Sequence, residues 1–589
     1  MCRNRINSNR FLEESIMSHR FKTSKGSTGP RTIFFLFLAG LLLVGGTLAL
    51  FFLKGGNGIT VSDLKSYEKI IGLEFSPEER KMVLERIERN LNGYQRLREI
   101  EIPNSIAPAL IFNPQFPGMD VEREQRPFRY SADDSLEVPD NPEELAFLPV
   151  TALAQLIKTR QITSTQLTQL YLDRLKKFGF RLECIITLTE DLALAQAKKA
   201  DEEITAGHYR GPLHGIPWGA KDLLSTEGIR TTWGAEPYKD QIFDEDASVV
   251  KRLEEAGAVL VAKLTLGALA MGDVWYGGRT RNPWNPEQGS SGSSAGPAAA
   301  TTAGLVAFSI GTETRGSIVS PSARCGASSL RPTFGRVSRQ GAMALSWSMD
   351  KIGPICRTVE DCALVFNAIH GPDGQDLSVV DIPFNWDPDL KLDQIRVGFL
   401  KDAFERDSGR RDSAQKENNE QSLEIFKSLG LQLVPVELPD FPVGTLGFIL
   451  STESAAAFDV LTRSNRDDLL VRQSSNSWPN TFRQARFVPA VEYIQANRAR
   501  FLLMREMARK LEGIDVVVTP TGTTTSLTNL TGHPAVIVPN GFRENGTPTS
   551  ITFIGNLYAE AKTLRLAKAF QDATEFHLKH PDLEKTENR

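Results

Sequence analysis

Gly289 to Gly326 read GSSGSSAGPAAATTAGLVAFSIGTETRGSIVSPSARCG. The stretch is small, hydroxylated and almost free of charge. Ser, Gly and Ala supply little apolar area, so building a core does not require them. Repeated Gly lets the backbone take positive φ and approach a ligand closely. A flexible Gly/Ser linker would share this composition. The apolar run Ala303–Ile310 in its middle reads instead as buried structure, which a linker lacks.

One motif inside the stretch is Gly292-Ser293-Ser294-Ala295-Gly296, a match to G-x-S-x-G. As a nucleophile elbow it would make Ser294 the nucleophile, with an acid and then a histidine later in the chain. The later histidines are His370, His533, His577 and His580. Only His533 sits near a plausible strand, between Gly532 and Pro534. That setting suits a turn residue better than a base. Chance matches to the motif also come easily in a Ser/Gly-rich run.

A second reading brings in a partner from outside the stretch. Gly215-Ile216-Pro217-Trp218-Gly219-Ala220-Lys221-Asp222 ends an apolar, Gly/Pro-punctuated run on a lysine. Most lysines are solvated and inert. Desolvation disfavours the charged form and lets lysine act as a base near neutral pH. A serine hydroxyl needs such a base, being a weak nucleophile at its own pKa.

Together, Lys221 in GIPWGAKD, the GSSGSSAG run and GTETRGSI resemble the amidase signature family, over roughly residues 143–582. Gly532-His533-Pro534-Ala535 and Val538-Pro539-Asn540-Gly541 look like that family too, which gives His533 a structural place. The resemblance implies a Ser–cisSer–Lys triad. Ser317 would be the nucleophile, Ser293, 24 residues earlier, the bridging serine, and Lys221 the base. Ser294 becomes a supporting hydroxyl. The N–H groups from Thr314 through Arg315 and Gly316 to Ser317 would form the oxyanion hole. The family usually has Gly where this chain has Arg315. If that position needs positive φ, Arg costs about 1 kcal/mol or more. Its guanidinium fork suits a substrate carboxylate or a structural ion pair.

Around these motifs the chain has 589 residues, 41% hydrophobic and 24% charged, an ordinary globular composition. A net charge of −4 argues against nucleic acid as a partner. Cys2, Cys184, Cys325, Cys356 and Cys362 form no metal spacing and no evident disulfide framework.

Residues 1–31 hold seven Lys/Arg against Glu13 and Glu14. Thr32–Leu53 follows, 22 residues without a charge. As a helix it spans roughly 33 Å, enough for a bilayer core. The basic flank places the N-terminus in the cytoplasm and the remainder outside. A cleaved signal peptide has a shorter apolar region, and no clear A-x-A site follows. Residues 54–142 are expected to form an extension, helical over Val61–Glu101 with Ser76 as a cap and Pro77 at the first helical position. Its Pro-rich part, 102–140, would wrap the main domain or act as a spacer.

From residue 143 helices and strands alternate. Leu153–Ile157 and Leu167–Phe178 are amphipathic, with Ser164 expected as a cap. Ala258–Val261 suits a buried element, and Ile395–Leu400, Leu431–Val436, Asp515–Val518 and Ala535–Val538 read as strands, with a solvated helix at Ser413–Leu429. The pattern predicts an α/β domain at 143–582, a mixed central β-sheet covered by helices on both faces. A tail, 583–589, closes the chain.

The expectation is a membrane-anchored amidohydrolase that cleaves a small-molecule amide through an acyl-enzyme, with no metal or cofactor. The rivals are a glutaminase-type subunit of a tRNA-dependent amidotransferase and a non-catalytic binding protein on the same fold. Neither the substrate nor the oligomeric state is legible.

Overall fold

A computed structural model describes residues 59–131, 135–406 and 412–584. The basic tail and the 32–53 run lie outside the described residues. Among the described residues no helix is long and apolar enough to cross a membrane.

Two compact units divide between Glu101 and Ile102. In the first, the helical stretch expected over Val61–Glu101 forms two helices, α1 (Val61–Ile71) and α2 (Pro77–Leu97), the second starting at the expected Ser76 cap. The break falls at Gly72, which takes the left-handed conformation that ends α1. Ser76 caps α2 through a reciprocal pair with Glu79, and Pro77 follows it. Arg80 grips Glu68 at 2.7 Å across the turn.

The second unit is built on one sheet of eleven strands. In chain order they are β1 (Ile185–Leu188), β2 (Pro217–Lys221), β3 (Val259–Leu264), β4 (Phe308–Glu313), β5 (Ser328–Arg331), β6 (Lys351–Cys356), β7 (Val397–Phe399), β8 (Leu433–Pro435), β9 (Val516–Pro520), β10 (Ala535–Phe542) and β11 (Pro548–Gly555). In space they run β1-β3-β2-β4-β6-β5-β10-β11-β9-β7-β8. Strands β3, β2 and β4 are parallel, as are β9, β7 and β8, and the pairs between these blocks are antiparallel. The sheet is therefore mixed, as the alternation implied.

Side chains alternate across a strand, so its two faces feed different cores. On β3, Leu260 joins the larger cluster with Trp218, Phe308 and Ile310. Val259 and Val261 join a second one with Ala298, Ala299 and Leu305. Helices cover the sheet, among them α3 (Ala295–Thr302), packed on β4 and β6, and the helix Glu560–Thr574, packed on β10 and β11. All eight residues of α3 are buried. Its alanines allow close approach, and Pro297 sits in the first turn, where a missing N–H costs nothing.

The helix expected after Ser164 runs from Ser164 to Arg174 and ends in a π-turn, Leu175–Gly179. Its cap is Thr163, whose hydroxyl accepts from Gln166 N while Gln166 reaches back. Ser164 lies inside the helix and donates to Gly215 O at 2.8 Å, which ties the helix to the turn entering β2. The described parts of 102–140 have neither helix nor strand.

Candidate active site

Strand β2 lies between two parallel neighbours and is buried at every position. Ligand sites in α/β sheets gather at the carboxyl ends of such strands. Lys221 ends β2 there, with no exposed surface. Its Nζ lies 2.8 Å from Ser293 Oγ, 3.1 Å from Ser294 Oγ, 2.9 Å from Thr312 Oγ1 and 3.2 Å from Thr312 O. All four are hydroxyl or carbonyl oxygens. Burial lowers the lysine pKa from 10.5 to about 7, against the pull of Asp350 and Glu313.

The serines reach the lysine because the loop before α3 packs tightly. A Cβ on Gly292 would lie 1.9 Å from Gly272 O, so only glycine fits. The Gly292–Ser293 peptide is cis. Ser294 precedes α3 and bonds β4, donating to Thr312 O at 3.1 Å and accepting from Thr312 N at 3.2 Å. Its N–H donates to Ser317 O at 3.0 Å, so the two serine-bearing loops lie side by side.

Ser317 is 8% exposed, and its hydroxyl has no hydrogen-bond partner among the described residues. It sits in the turn from β4 into α4 (Val319–Cys325). Gly316 makes that turn at φ +83°. Arg315 is not at positive φ, so the strain anticipated for it does not arise. Its side chain is exposed and forms no ion pair among the described residues. The main-chain N–H groups of Arg315, Gly316 and Ser317 likewise bond no acceptor among the described residues. Gly316 and Ser317 are buried residues, and buried donors are rarely left without a partner unless they face a ligand or water.

The sequence reading missed Glu313. Fully buried, it accepts from Ile318 N (2.8 Å), Val319 N (3.0 Å), Arg331 (2.9 Å) and Asn529 (2.7 Å). Burial alone would raise its pKa, but Arg331 and these donors hold it down to about 2. It fixes the Thr314–Ser317 turn between β4 and α4. The only signal was a carboxylate at the end of an otherwise uncharged apolar run. Asp350 was missed as well. It accepts from Thr314 Oγ1 at 2.5 Å and from Leu345 N and Ser346 N, and burial raises its pKa against these bonds.

His533 stands apart from the serines. Its ring pairs with Thr531 at 2.8 Å, and burial, with Arg331 nearby, lowers its pKa to about 3. The elbow arrangement with Ser294 does not form. Among the described residues no cluster of His, Cys, Asp and Glu is suited to a metal ion.

Eleven mixed strands carry a lysine and two serines that meet at a strand end in an α/β fold. The Amidase family model matches residues 166–528. The chain belongs to the amidase signature family and is a hydrolase of carbon–nitrogen bonds. It is 32% identical to a Glutamyl-tRNA(Gln) amidotransferase subunit of Thermosynechococcus vestitus, covering 73% of this chain and 98% of that one. The corresponding subunit of Dehalococcoides mccartyi is 33% identical, over 75% and 100%. Among solved structures, native peptide amidase from Stenotrophomonas maltophilia superposes with a TM-score of 0.67 at 29% identity, over 75% of this chain and 100% of that one.

Proposed function

We propose that this amidohydrolase works through Ser317, Ser293 and Lys221. The carrying observation is the buried Lys221 amine, with a pKa of about 7, 2.8 Å from Ser293 Oγ. A neutral amine has two N–H groups and one lone pair. The Thr312 carbonyl can only accept, so it takes one N–H and leaves the lone pair for a hydroxyl proton. Ser293 gives its proton to Lys221 and takes that of Ser317, whose oxygen attacks the amide carbon. The oxyanion is held by the N–H groups of the Thr314–Ser317 turn. The proton returns through Ser293 to the leaving amine as the C–N bond breaks. Water then enters by the same relay and releases the acid from the acyl-enzyme.

Lys221→Ala is expected to lower amide hydrolysis by orders of magnitude and to abolish labelling of Ser317 by a fluorophosphonate probe, with the circular dichroism unchanged. Near wild-type turnover in the folded variant would refute this reading.

A second reading has support in the names of the relatives: a protein that releases ammonia from an amide for a partner. It requires partner chains for activity, whereas the first reading requires none. The charge-free 32–53 run behind a basic tail supports the first, with the enzyme held at a membrane by a single span and its catalytic unit outside the cytoplasm.

A further inference from the structure

A cavity of about 570 Å³ opens beside the site. Thr312, which holds Lys221, and Thr314, which precedes the Ser317 turn, belong to its wall. Met343, Leu345 and Trp347 line another side. A further part of the wall is Ser105–Ile111, SIAPALI, which comes from the Pro-rich segment upstream of the 166–528 family match.

This bridge is pinned at both ends. Asn104 accepts from Ala344 N at 2.7 Å and donates to Ala344 O at 2.9 Å. Phe112 lies over the Arg500 guanidinium at 3.6 Å and meets the Phe334 ring edge-on at 5.0 Å. Between the pins no residue of 105–111 hydrogen-bonds the rest of the body among the described residues. Ile106, Leu110 and Ile111 remain 56%, 72% and 49% exposed. Apolar surface of this kind is stabilised when an apolar group covers it.

The charged groups of the wall are already engaged. Arg339 bonds Asp376 at 2.8 Å and Trp347 O at 2.6 Å. Asp350 accepts from Thr314 and two main-chain N–H groups, and Lys351 donates to Met349 O. Among the described residues no free charge in the wall would recognise a charged substrate, and the volume suits a ligand of moderate size.

We propose that Ser105–Ile111 is a strap forming the outer wall of the substrate pocket, and that it selects amides carrying an uncharged apolar group of several carbons. The inference rests on the amidohydrolase reading above.

The test uses the full-length protein in detergent, with ammonia or amine release followed in two series. One runs from acetamide to octanamide, the other lengthens the N-alkyl group of acetamides. In the wild type, kcat/KM should climb with length in at least one series. In the Ile106→Ser/Leu110→Ser double variant the long-to-short ratio should fall about tenfold or more, the worth of a methylene or two in an apolar pocket. Asn104→Ala, which unpins one end, should lower the same ratio. A flat wild-type profile in both series, or an unchanged ratio in both variants, overturns the strap. Full turnover in Lys221→Ala would sink the triad instead and leave the strap ratio readable.

Discussion

In the proposed mechanism Lys221 is the residue whose charge state sets the behaviour of the site. With its pKa lowered by burial to about 7, the neutral amine disappears as pH falls. Hydrolysis should therefore drop about tenfold per unit below pH 7 and level off above it. A kcat/KM profile flat from pH 5.5 to 8 would exclude Lys221 as the base. The same shift acts on stability. Between pH 7 and 10.5 the unfolded chain holds a proton on this amine that the folded protein lacks. Stability therefore rises with pH across that window, by about 1.4 kcal/mol per unit. Lys221→Met removes the burden, so its advantage in urea midpoint should be largest near pH 7 and shrink towards pH 10. Residue types made this site only partly legible: a lysine closing an apolar run and serines in a Gly-rich loop each have ordinary readings, and it was the resemblance of three motifs taken together that singled out Lys221, Ser293 and Ser317. Thr312, Glu313 and Asp350 were not legible, because a lone hydroxyl or carboxylate shows its role only once the fold supplies its partners.

Strand β4 and helix α4 are joined through one side chain. Glu313 ends the strand and its carboxylate takes the first free N–H groups of the turn into the helix, while Arg331 reaches it from β5. Glu313→Gln keeps the shape but leaves Arg331 buried without a counter-charge. The loss expected on breaking such a pair is about 3–5 kcal/mol, read as a lower urea midpoint. Turnover should fall more than KM rises, since the displaced turn carries Ser317. In the wild type this contribution is complete above pH 4.5 and is lost as pH falls towards 2. A variant with wild-type midpoint and turnover would show that the carboxylate holds nothing. At this scale the strands legible in the sequence were apolar, often β-branched runs such as Val516–Val518 and Ala535–Val538, while strands such as β5, Ser328–Arg331, carry no such run and were not read. Finer boundaries could not. Thr163 and Ser164 are chemically alike, and backbone conformation alone made the first of them the cap.

Across the whole molecule, the order of strands was the least legible feature, because hydrophobic period records which face is buried and not which neighbour buries it. The position at a membrane is an inference from residues 1–53. It predicts that the full chain sediments with membranes, resists carbonate extraction and is released by detergent, and that protease added outside intact cells degrades the catalytic unit. Release by carbonate, or protection from the protease, would remove the anchor or reverse its orientation. The strand order also governs how the molecule is made. Strand β10 inserts between β5 and β11, so the open edge of β5 waits for residues 535–542. At about 5–20 residues per second, the roughly 200 residues between them keep that edge bare for some tens of seconds of synthesis. A bare edge is a template for pairing with another chain. The nascent chain thus passes through an interval in which its first six strands present an unpaired edge, closed only when the C-terminal hairpin of β10 and β11 arrives.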